Sequence, residues 1–290
     1  MGPACGGPDG PGGRHGRVHR FRHDLGDDPR FDPEAVALLT RRVPPRAVVH
    51  HLGDLPLLLP RGDAPALPLG ADQVAREIRD NGSWVRVGGI EQVEGWDEVV
   101  GACVAGVSAP EELLAQVFLA SPGAVTPAHF DSYHNLLFQV HGTKEFTIGA
   151  FSDPATARRE VARRFGPEHE NLRTLPDRGT VHTLQPGDGL YLPPDTFHWA
   201  RCGPEVSLAL SCTFSNADSR RRLAIHIFNA HLRRFGIDAA LPGTSAVRDA
   251  TKYRLERLWR STGPVRRSLS LRRVAGRSPR GRRRSDGSLR

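Results

Sequence analysis

Several features are scarce in this chain of 290 residues. Its four cysteines include no C-x-x-C pair, which favours a reducing compartment. No stretch approaches 18 consecutive apolar residues, so the sequence predicts no membrane span. The glycine-rich first 20 residues lack the hydrophobic region of a secretory signal. We therefore expect a cytoplasmic protein.

The two ends differ in composition from the centre. The chain has 31 glycines, 24 prolines and a hydrophobic fraction of only 38%, which indicates long segments outside a core. We predict that residues 1–30 and an Arg-rich tail, 263–290, are disordered. Residues 265–290 contain ten arginines and one aspartate, so the tail accounts for the net charge of +8. Such a tail either stays solvated or contacts nucleic acid or an anionic membrane, but it lacks the interleaved aromatics and the helical periodicity of a binding arm.

The central region consists of short β-rich runs separated by Gly, Pro and Asp turns, which is typical of an all-β sandwich or barrel. We predict a mainly β fold whose catalytic core, residues 111–216, is a double-stranded β-helix, or jelly roll. Residues 31–110 form an N-terminal α/β extension of this core. Residues 217–262 form C-terminal helices with amphipathic patterns. Their apolar stripes would pack either on the barrel or on a second subunit, which would make a homodimer.

The main chemical signal is the run GAVTPAHFDSYHNLLFQVHGTK. On a strand, side chains alternate between two faces, so His129 and Asp131 would point the same way and could bind one ion. A second histidine from a distant strand would complete the two-histidine, one-carboxylate triad of non-haem Fe(II) oxygenases. His198 follows a Pro-Pro-Asp turn that would return it to the barrel mouth. Its alternative role is that of a surface loop histidine.

Lys144 is one of only two lysines in the chain, and two interpretations of it stay open. If LLFQV and EFTIG form a hairpin, this lysine begins the second strand and could enter the barrel. Because burying an unpaired ammonium is costly, a buried lysine here would imply an anionic ligand. Otherwise it is an exposed turn residue beside Glu145.

The spacing of these residues resembles the two cupin motifs. Gly123, His129, Asp131, Asn135 and Gly142 follow the first motif, with aspartate and asparagine at positions where cupins have histidine and glutamate. The second motif is matched by Gly187, Pro193 and His198.

The run T-P-A-H-F-D-x-x-x-N-x-x-x-Q-x-x-G-x-K resembles the JmjC, or cupin-like, Fe(II)- and 2-oxoglutarate-dependent hydroxylases, near the asparaginyl hydroxylase that inhibits hypoxia-inducible factor. This resemblance implies an Fe(II) site formed by His129, Asp131 and His198. It implies that the cosubstrate 2-oxoglutarate is bound by the residues Thr126, Asn135 and Lys144.

The same resemblance implies an oxygenase that uses dioxygen and 2-oxoglutarate to hydroxylate a protein side chain or a small molecule. Two alternatives stay open. One is a metal-dependent cupin enzyme that does not use 2-oxoglutarate. The other is a non-catalytic JmjC-like scaffold that binds nucleic acid through the Arg-rich tail.

Overall fold

The computed structural model describes residues 16–108, 110–166 and 171–262. The predicted disorder of residues 1–15 and of the tail 263–290, and any nucleic-acid contact by that tail, fall outside these residues. In chain order, the N-terminal elements are β1 His19–Arg22, α1 Pro33–Leu39, β2 Val48–Leu52, α2 Ala71–Arg76, β3 Ser83–Gly88 and α3 Trp96–Val104. The elements that follow are β4 Glu111–Ala120, β5 Val125–His129, β6 His134–His141, β7 Lys144–Ala150, α4 Pro154–Arg164, β8 Arg178–Leu184, β9 Asp188–Leu192, β10 Phe197–Cys202, β11 Ser207–Ser215, α5 Ala217–Arg234 and α6 Ala246–Thr262.

The strands form two antiparallel sheets, as the predicted jelly roll requires. The larger sheet has seven strands in the order β1-β9-β6-β11-β4-β3-β2, and the smaller has the order β5-β10-β7-β8. Strands distant in sequence are neighbours in both sheets, which is typical of a double-stranded β-helix. The N-terminal α/β extension adds β2 and β3 to the edge of the larger sheet next to β4.

The larger sheet packs on a different core at each face. Phe138 of β6 points into a large core shared with Val36 of α1, Val74 of α2 and Val99 of α3. Leu137, the preceding residue, joins a smaller cluster with side chains from both sheets. Burying each aliphatic side chain of this size contributes roughly 1.5–3 kcal/mol, so most apolar stabilisation lies under the helices. The space between the sheets can therefore hold polar groups.

The prediction of disorder over residues 1–30 is wrong for their described part, because His19–Arg22 is a strand of the larger sheet. Phe21 is buried and meets Phe138 edge to face, with ring centroids 5.0 Å apart. Arg20 and Arg22 both pair with the buried carboxylate of Asp188. One apolar anchor between two ion-paired arginines orders this strand, although the composition around it is rich in glycine.

Two C-terminal helices follow the last strand, as predicted. The first begins with a capping box, in which Asn216 accepts a hydrogen bond from the Ser219 amide and Ser219 Oγ accepts one from the Asn216 amide. The helices contact each other, while Phe235, Val247 and Trp259 keep more than half of their surface exposed. The homodimer through these helices stays a prediction. None of the helices over the described residues has the length and apolar character needed to cross a bilayer.

The turn between β6 and β7 provides a test of the fold. Gly142 has φ +63°, and a Cβ there would clash with the carbonyl oxygen of Val206. Because both backbone strain and overpacking oppose a side chain, we expect Gly142→Ala to lower the free energy of unfolding by about 3 kcal/mol. Gly123→Ala is the matched control, since Gly123 has φ +72° but a methyl group added there would meet no atom within 4 Å. Denaturant titrations should show a clearly larger loss for Gly142, and equal losses would contradict the packing role of this turn.

Candidate metal centre

Two histidines meet across neighbouring strands of the smaller sheet. His129, the last residue of β5, is the cross-strand partner of His198 in β10, and their ring centroids are 4.2 Å apart. Asp131 lies just past the end of β5, so the H-x-D pair spans a strand end and not a continuous strand. One potential ligand atom from each of the three residues lies within 4.8 Å of the others. The structure therefore brings together the three residues that the motifs predicted as metal ligands.

Backbone carbonyls fix the orientation of both imidazole rings. His129 Nδ1 lies 2.8 Å from the carbonyl oxygen of Pro127, and His198 Nδ1 lies 2.8 Å from that of Thr196. Since a carbonyl oxygen only accepts, each ring donates its Nδ1 proton. In a neutral ring with this tautomer, the Nε2 atom carries the free lone pair. The Nε2 atom of His129 is 3.7 Å from Asp131 Oδ2. This tautomer is the one needed for a metal bound through Nε2.

Burial keeps His198 neutral. It lowers the pKa of His198 to about 4, and the neighbouring His129 acts in the same direction. The ring also stacks on Phe146, with centroids 5.1 Å apart. Burial alone would raise the pKa of Asp131, but the charges of His129, His198, Arg164 and Arg61 outweigh it and lower that pKa. At neutral pH the site therefore offers a free imidazole nitrogen and an ionised carboxylate, a donor set that suits Fe(II).

The predicted cosubstrate residues lie in the strands around this triad. Lys144 begins β7 and is only 6% exposed, so the interpretation as an exposed turn residue is wrong. It shares the inward face of β7 with Phe146, two residues further on. Thr126, on β5, is half-buried opposite Ala200 of β10. Asn135, on β6, is held by a hydrogen bond of 2.8 Å from Ser211 Oγ to its Oδ1 atom.

Residues 105–221 match the family described as the JmjC domain. Over 101 residues the chain is 35% identical to Jumonji C domain-containing protein 5 of Drosophila melanogaster. These aligned residues make up 30% of this chain and 24% of that protein. Over 139 residues it is 31% identical to the uncharacterized protein YxbC of Bacillus subtilis (strain 168), covering 43% of this chain and 40% of that one. The chain thus spans less than half the length of these curated relatives.

The solved structures that match this one include that of YcfD, a ribosomal oxygenase from Escherichia coli, in complex with cobalt and 2-oxoglutarate. The TM-score is 0.48 at 15% identity, over 86% of this chain and 64% of YcfD. An RmlC-like cupin from Shewanella frigidimarina gives a TM-score of 0.27 at 15% identity, over 47% of this chain and 79% of that one.

A buried ion-pair cluster supports the two loops that carry Asp131 and lead into His198. Asp195, three residues before His198, donates its backbone N–H to the carbonyl oxygen of Asp131 over 2.7 Å. Its Oδ2 atom accepts hydrogen bonds of 3.0 Å from both Arg222 and His226 of α5. Burial raises the pKa of Asp195, but the charges and hydrogen bonds of His226 and Arg222 outweigh this effect and lower it. Asp195 thereby connects both loops to the C-terminal helix.

The cupin and JmjC motifs do not include Asp195, although the sequence around it weakly indicates its backbone conformation. Asp195 has φ +64°, a left-handed conformation that aspartate adopts more readily than most residues. The Pro-Pro-Asp-Thr turn before His198 indicates such a conformation. Its partners Arg222 and His226 have no sequence signature, because they are 27 and 31 residues away on a helix.

The cluster predicts a loss of metal affinity in Asp195→Asn. Removing the charge weakens the contacts with α5, and loss of such supporting contacts typically lowers metal affinity by 10- to 100-fold. We expect Mn(II) binding, measured by calorimetry, to weaken at least about tenfold. Asp188→Asn is the matched control, since Asp188 is also buried and paired with two basic side chains but supports β1. Equal Mn(II) affinity in the two variants would contradict the supporting role of Asp195.

Proposed function

We propose that this JmjC domain is an Fe(II)- and 2-oxoglutarate-dependent oxygenase that hydroxylates a protein side chain or a small molecule. One observation carries the proposal: three metal donors and a buried lysine lie in the same jelly roll. Neither feature alone identifies this reaction. Together they provide a site for a metal ion and a separate site for an anion.

His129, Asp131 and His198 would hold the iron on one face, leaving its other positions to the cosubstrate and dioxygen. When bound, Fe(II) supplies the activation of dioxygen that is coupled to oxidative decarboxylation of 2-oxoglutarate. The chain contributes the ligand orientation. The carbonyl groups of Pro127 and Thr196 keep the Nδ1 protons in place, so both rings present Nε2 without a prior proton transfer.

Lys144 would bind the distal carboxylate of 2-oxoglutarate. His198 lies opposite Ile148, four residues along β7 from Lys144, which corresponds to about 13 Å between their backbones. A lysine side chain and an extended 2-oxoglutarate molecule can together bridge that distance. Thr126 on β5 and Asn135 on β6 would donate hydrogen bonds to the same cosubstrate. Its two negative charges would offset the cost of the buried ammonium.

The alternative of a metal-dependent cupin that does not use 2-oxoglutarate explains less. It accounts for the triad but gives no anionic partner to the buried Lys144. The non-catalytic scaffold accounts for neither the lysine nor the two fixed imidazole tautomers. The oxygenase is therefore the function that the geometry supports best.

The metal assignment is tested by absorption spectroscopy without oxygen. Adding Fe(II) and 2-oxoglutarate to the wild-type protein should give a visible charge-transfer band, because the cosubstrate chelates the iron. Asp131→Ala should abolish the band, since it removes the anionic ligand. Asp238→Ala is the control, as Asp238 is 68% exposed and pairs with Arg158. If the wild-type protein gives no band, the oxygenase proposal fails.

The cosubstrate assignment is tested by Lys144→Met, which keeps the length and apolar volume of the side chain but removes its charge. A hydrogen bond between charged groups contributes roughly 1.5–3 kcal/mol, so 2-oxoglutarate should bind at least about tenfold more weakly. Calorimetry with the Mn(II)-loaded protein should show this loss with unchanged Mn(II) affinity. The control is Lys252→Met. Lys252 is the only other lysine, and it donates to the carbonyl oxygen of Ala240 in the segment between the two C-terminal helices. Unchanged 2-oxoglutarate affinity in Lys144→Met would remove the role of this residue.

A further inference from the structure

The last helix, α6, presents apolar side chains to solvent. Ten large hydrophobic residues of the described part of the chain are exposed, and six of them lie between residues 235 and 259. Four of these six follow the helical period along one face of α6, which we call the outer stripe: Val247, Leu255, Leu258 and Trp259. Single exposed apolar residues are common on proteins, but a contiguous apolar stripe indicates a surface for interaction.

The opposite face of α6 is polar and buried against α5. Glu256 is only 1% exposed, and it accepts a hydrogen bond of 2.7 Å from Arg260 while its other oxygen lies 3.8 Å from His231 of α5. Asp249 is also buried and accepts a hydrogen bond of 2.7 Å from the Gly243 amide. These two residues are the acids of α6, so the helix turns its negative charges inward and its apolar stripe outward. An ordinary surface helix has the reverse arrangement.

The outer side of α6 also carries positive charge. Arg248, Arg254 and Arg257 are exposed, and the ion pairs of this helix among the described residues are those of Glu256 with His231 and Arg260. By the helical period, Arg254 and Arg257 lie along one side of the outer stripe and Arg248 lies at its other side. The residues outside the described ranges contain eleven arginines and four acids, so together they add positive charge and do not balance it.

The charge of the whole chain is divided in the same way. Residues 217–290 contain 20 lysines and arginines and five acids, whereas residues 1–216 contain 20 lysines and arginines and 27 acids. A surface with many negative charges would therefore attract the C-terminal region and repel the remainder of the chain. This asymmetry favours an approach of such a surface from the side of the C-terminal helices.

We propose that α6 binds the surface of an anionic lipid bilayer. The outer stripe would enter the boundary between headgroups and acyl chains, and the arginines beside it would contact lipid phosphates. An apolar face with tryptophan and leucine, bordered by arginines, is typical of helices that lie in the plane of a membrane interface. Arginine suits this border because its apolar stem can follow the stripe while its guanidinium group reaches the headgroups.

A second copy of the chain fits this surface less well. Pairing two outer stripes would bring Arg254 and Arg257 of one copy close to those of the other, and like charges repel. Residues 265–290, which follow the helix, add ten more arginines to each copy. An anionic bilayer offers an apolar interior for the stripe and opposite charge for its border.

Nucleic acid would account for the arginines but not for the aliphatic part of the stripe. Val247, Leu255 and Leu258 have no aromatic ring on which a base could stack. The ring of Trp259 already stacks on His231, with centroids 5.5 Å apart. The stripe therefore matches acyl chains better than it matches bases.

The test is flotation of the full chain with vesicles of equimolar phosphatidylglycerol and phosphatidylcholine, compared with vesicles of phosphatidylcholine alone. The wild-type protein should float with the anionic vesicles and much less with the neutral ones. The double variant Arg254→Gln/Arg257→Gln should bind the anionic vesicles at least about tenfold more weakly, because each basic residue near such a surface adds to the affinity. Arg46→Gln/Arg178→Gln is the control, since it removes the same charge from two exposed arginines elsewhere and should bind as wild type does.

The apolar contribution is tested by Val247→Ser/Leu258→Ser, which keeps every charge. It should also weaken binding at least about tenfold, because the apolar surface that enters the bilayer is reduced. Leu38→Ser/Val181→Ser is the matched control, as these side chains are 50% and 58% exposed on other elements. Circular dichroism checks that each variant is folded, and if an apolar variant fails to fold, the arginine variant still decides the question.

Fluorescence tests whether the stripe itself meets the acyl chains. The chain has four tryptophans, of which Trp259 alone is exposed. Anionic vesicles with brominated acyl chains should quench the emission of the wild-type protein, and Trp259→Phe should remove most of this quenching. Quenching that persists in Trp259→Phe would contradict insertion of the stripe.

Other outcomes would overturn the proposal. Absence of flotation, or equal flotation with neutral vesicles, would do so. Equal binding by the α6 variants and their controls would assign the membrane contact to another basic segment. A dimer in sedimentation that dissociates in Val247→Ser/Leu258→Ser would assign the stripe to a second copy, and binding of polyuridylate without flotation would assign the arginines to nucleic acid. None of these measurements requires Fe(II) or 2-oxoglutarate, so they leave the oxygenase proposal untouched.

Discussion

The antiparallel pairing of β5 with β10 is the constraint on which the candidate metal centre depends. It places His129 opposite His198, and a slip by one residue would turn one of the two rings to the other face of the sheet. The register shifts between His198 and Ala200, an irregularity of the kind that changes side-chain direction near functional sites. Asp131 depends on the same pairing, because its backbone is fixed by the loop that leads into β10.

Much of this arrangement follows from sequence patterns. Alternation and turn residues predicted the β-rich core, and motif spacing predicted which residues would approach His129. These features are local, or are encoded by types of residue that few other roles require. The match of residues 105–221 to the JmjC domain agrees with them. The family resemblance supplied the roles of Thr126, Asn135 and Lys144, which spacing alone does not determine. The expected hairpin of LLFQV with EFTIG is wrong, because β6 and β7 pair with other strands and belong to different sheets.

The remaining features depend on contacts between distant segments. From the sequence, Asp195 is an ordinary turn residue. Only the packing of α5 brings Arg222 and His226 into contact with it. Arg164 is one among many arginines in this chain, and only packing places its guanidinium 3.8 Å from the Asp131 carboxylate. The strand at His19–Arg22 was missed for the opposite reason, since average composition conceals one well-placed phenylalanine. Long-range pairing and burial are the properties that a pattern of neighbouring residues does not contain.

The large core under the helices has a consequence for how this protein can diverge. Its helical side comes from α1, α2 and α3, all of which precede the matched residues 105–221. The donors of the metal centre lie between the sheets, on side chains that this core does not include. The helices that bury this core and the residues of the candidate site thus lie largely in separate parts of the chain. Apolar residues of these helices can be replaced by other apolar residues without altering the residues of the candidate site. Residues 105–221 alone, however, would expose the face of the larger sheet that the helices cover.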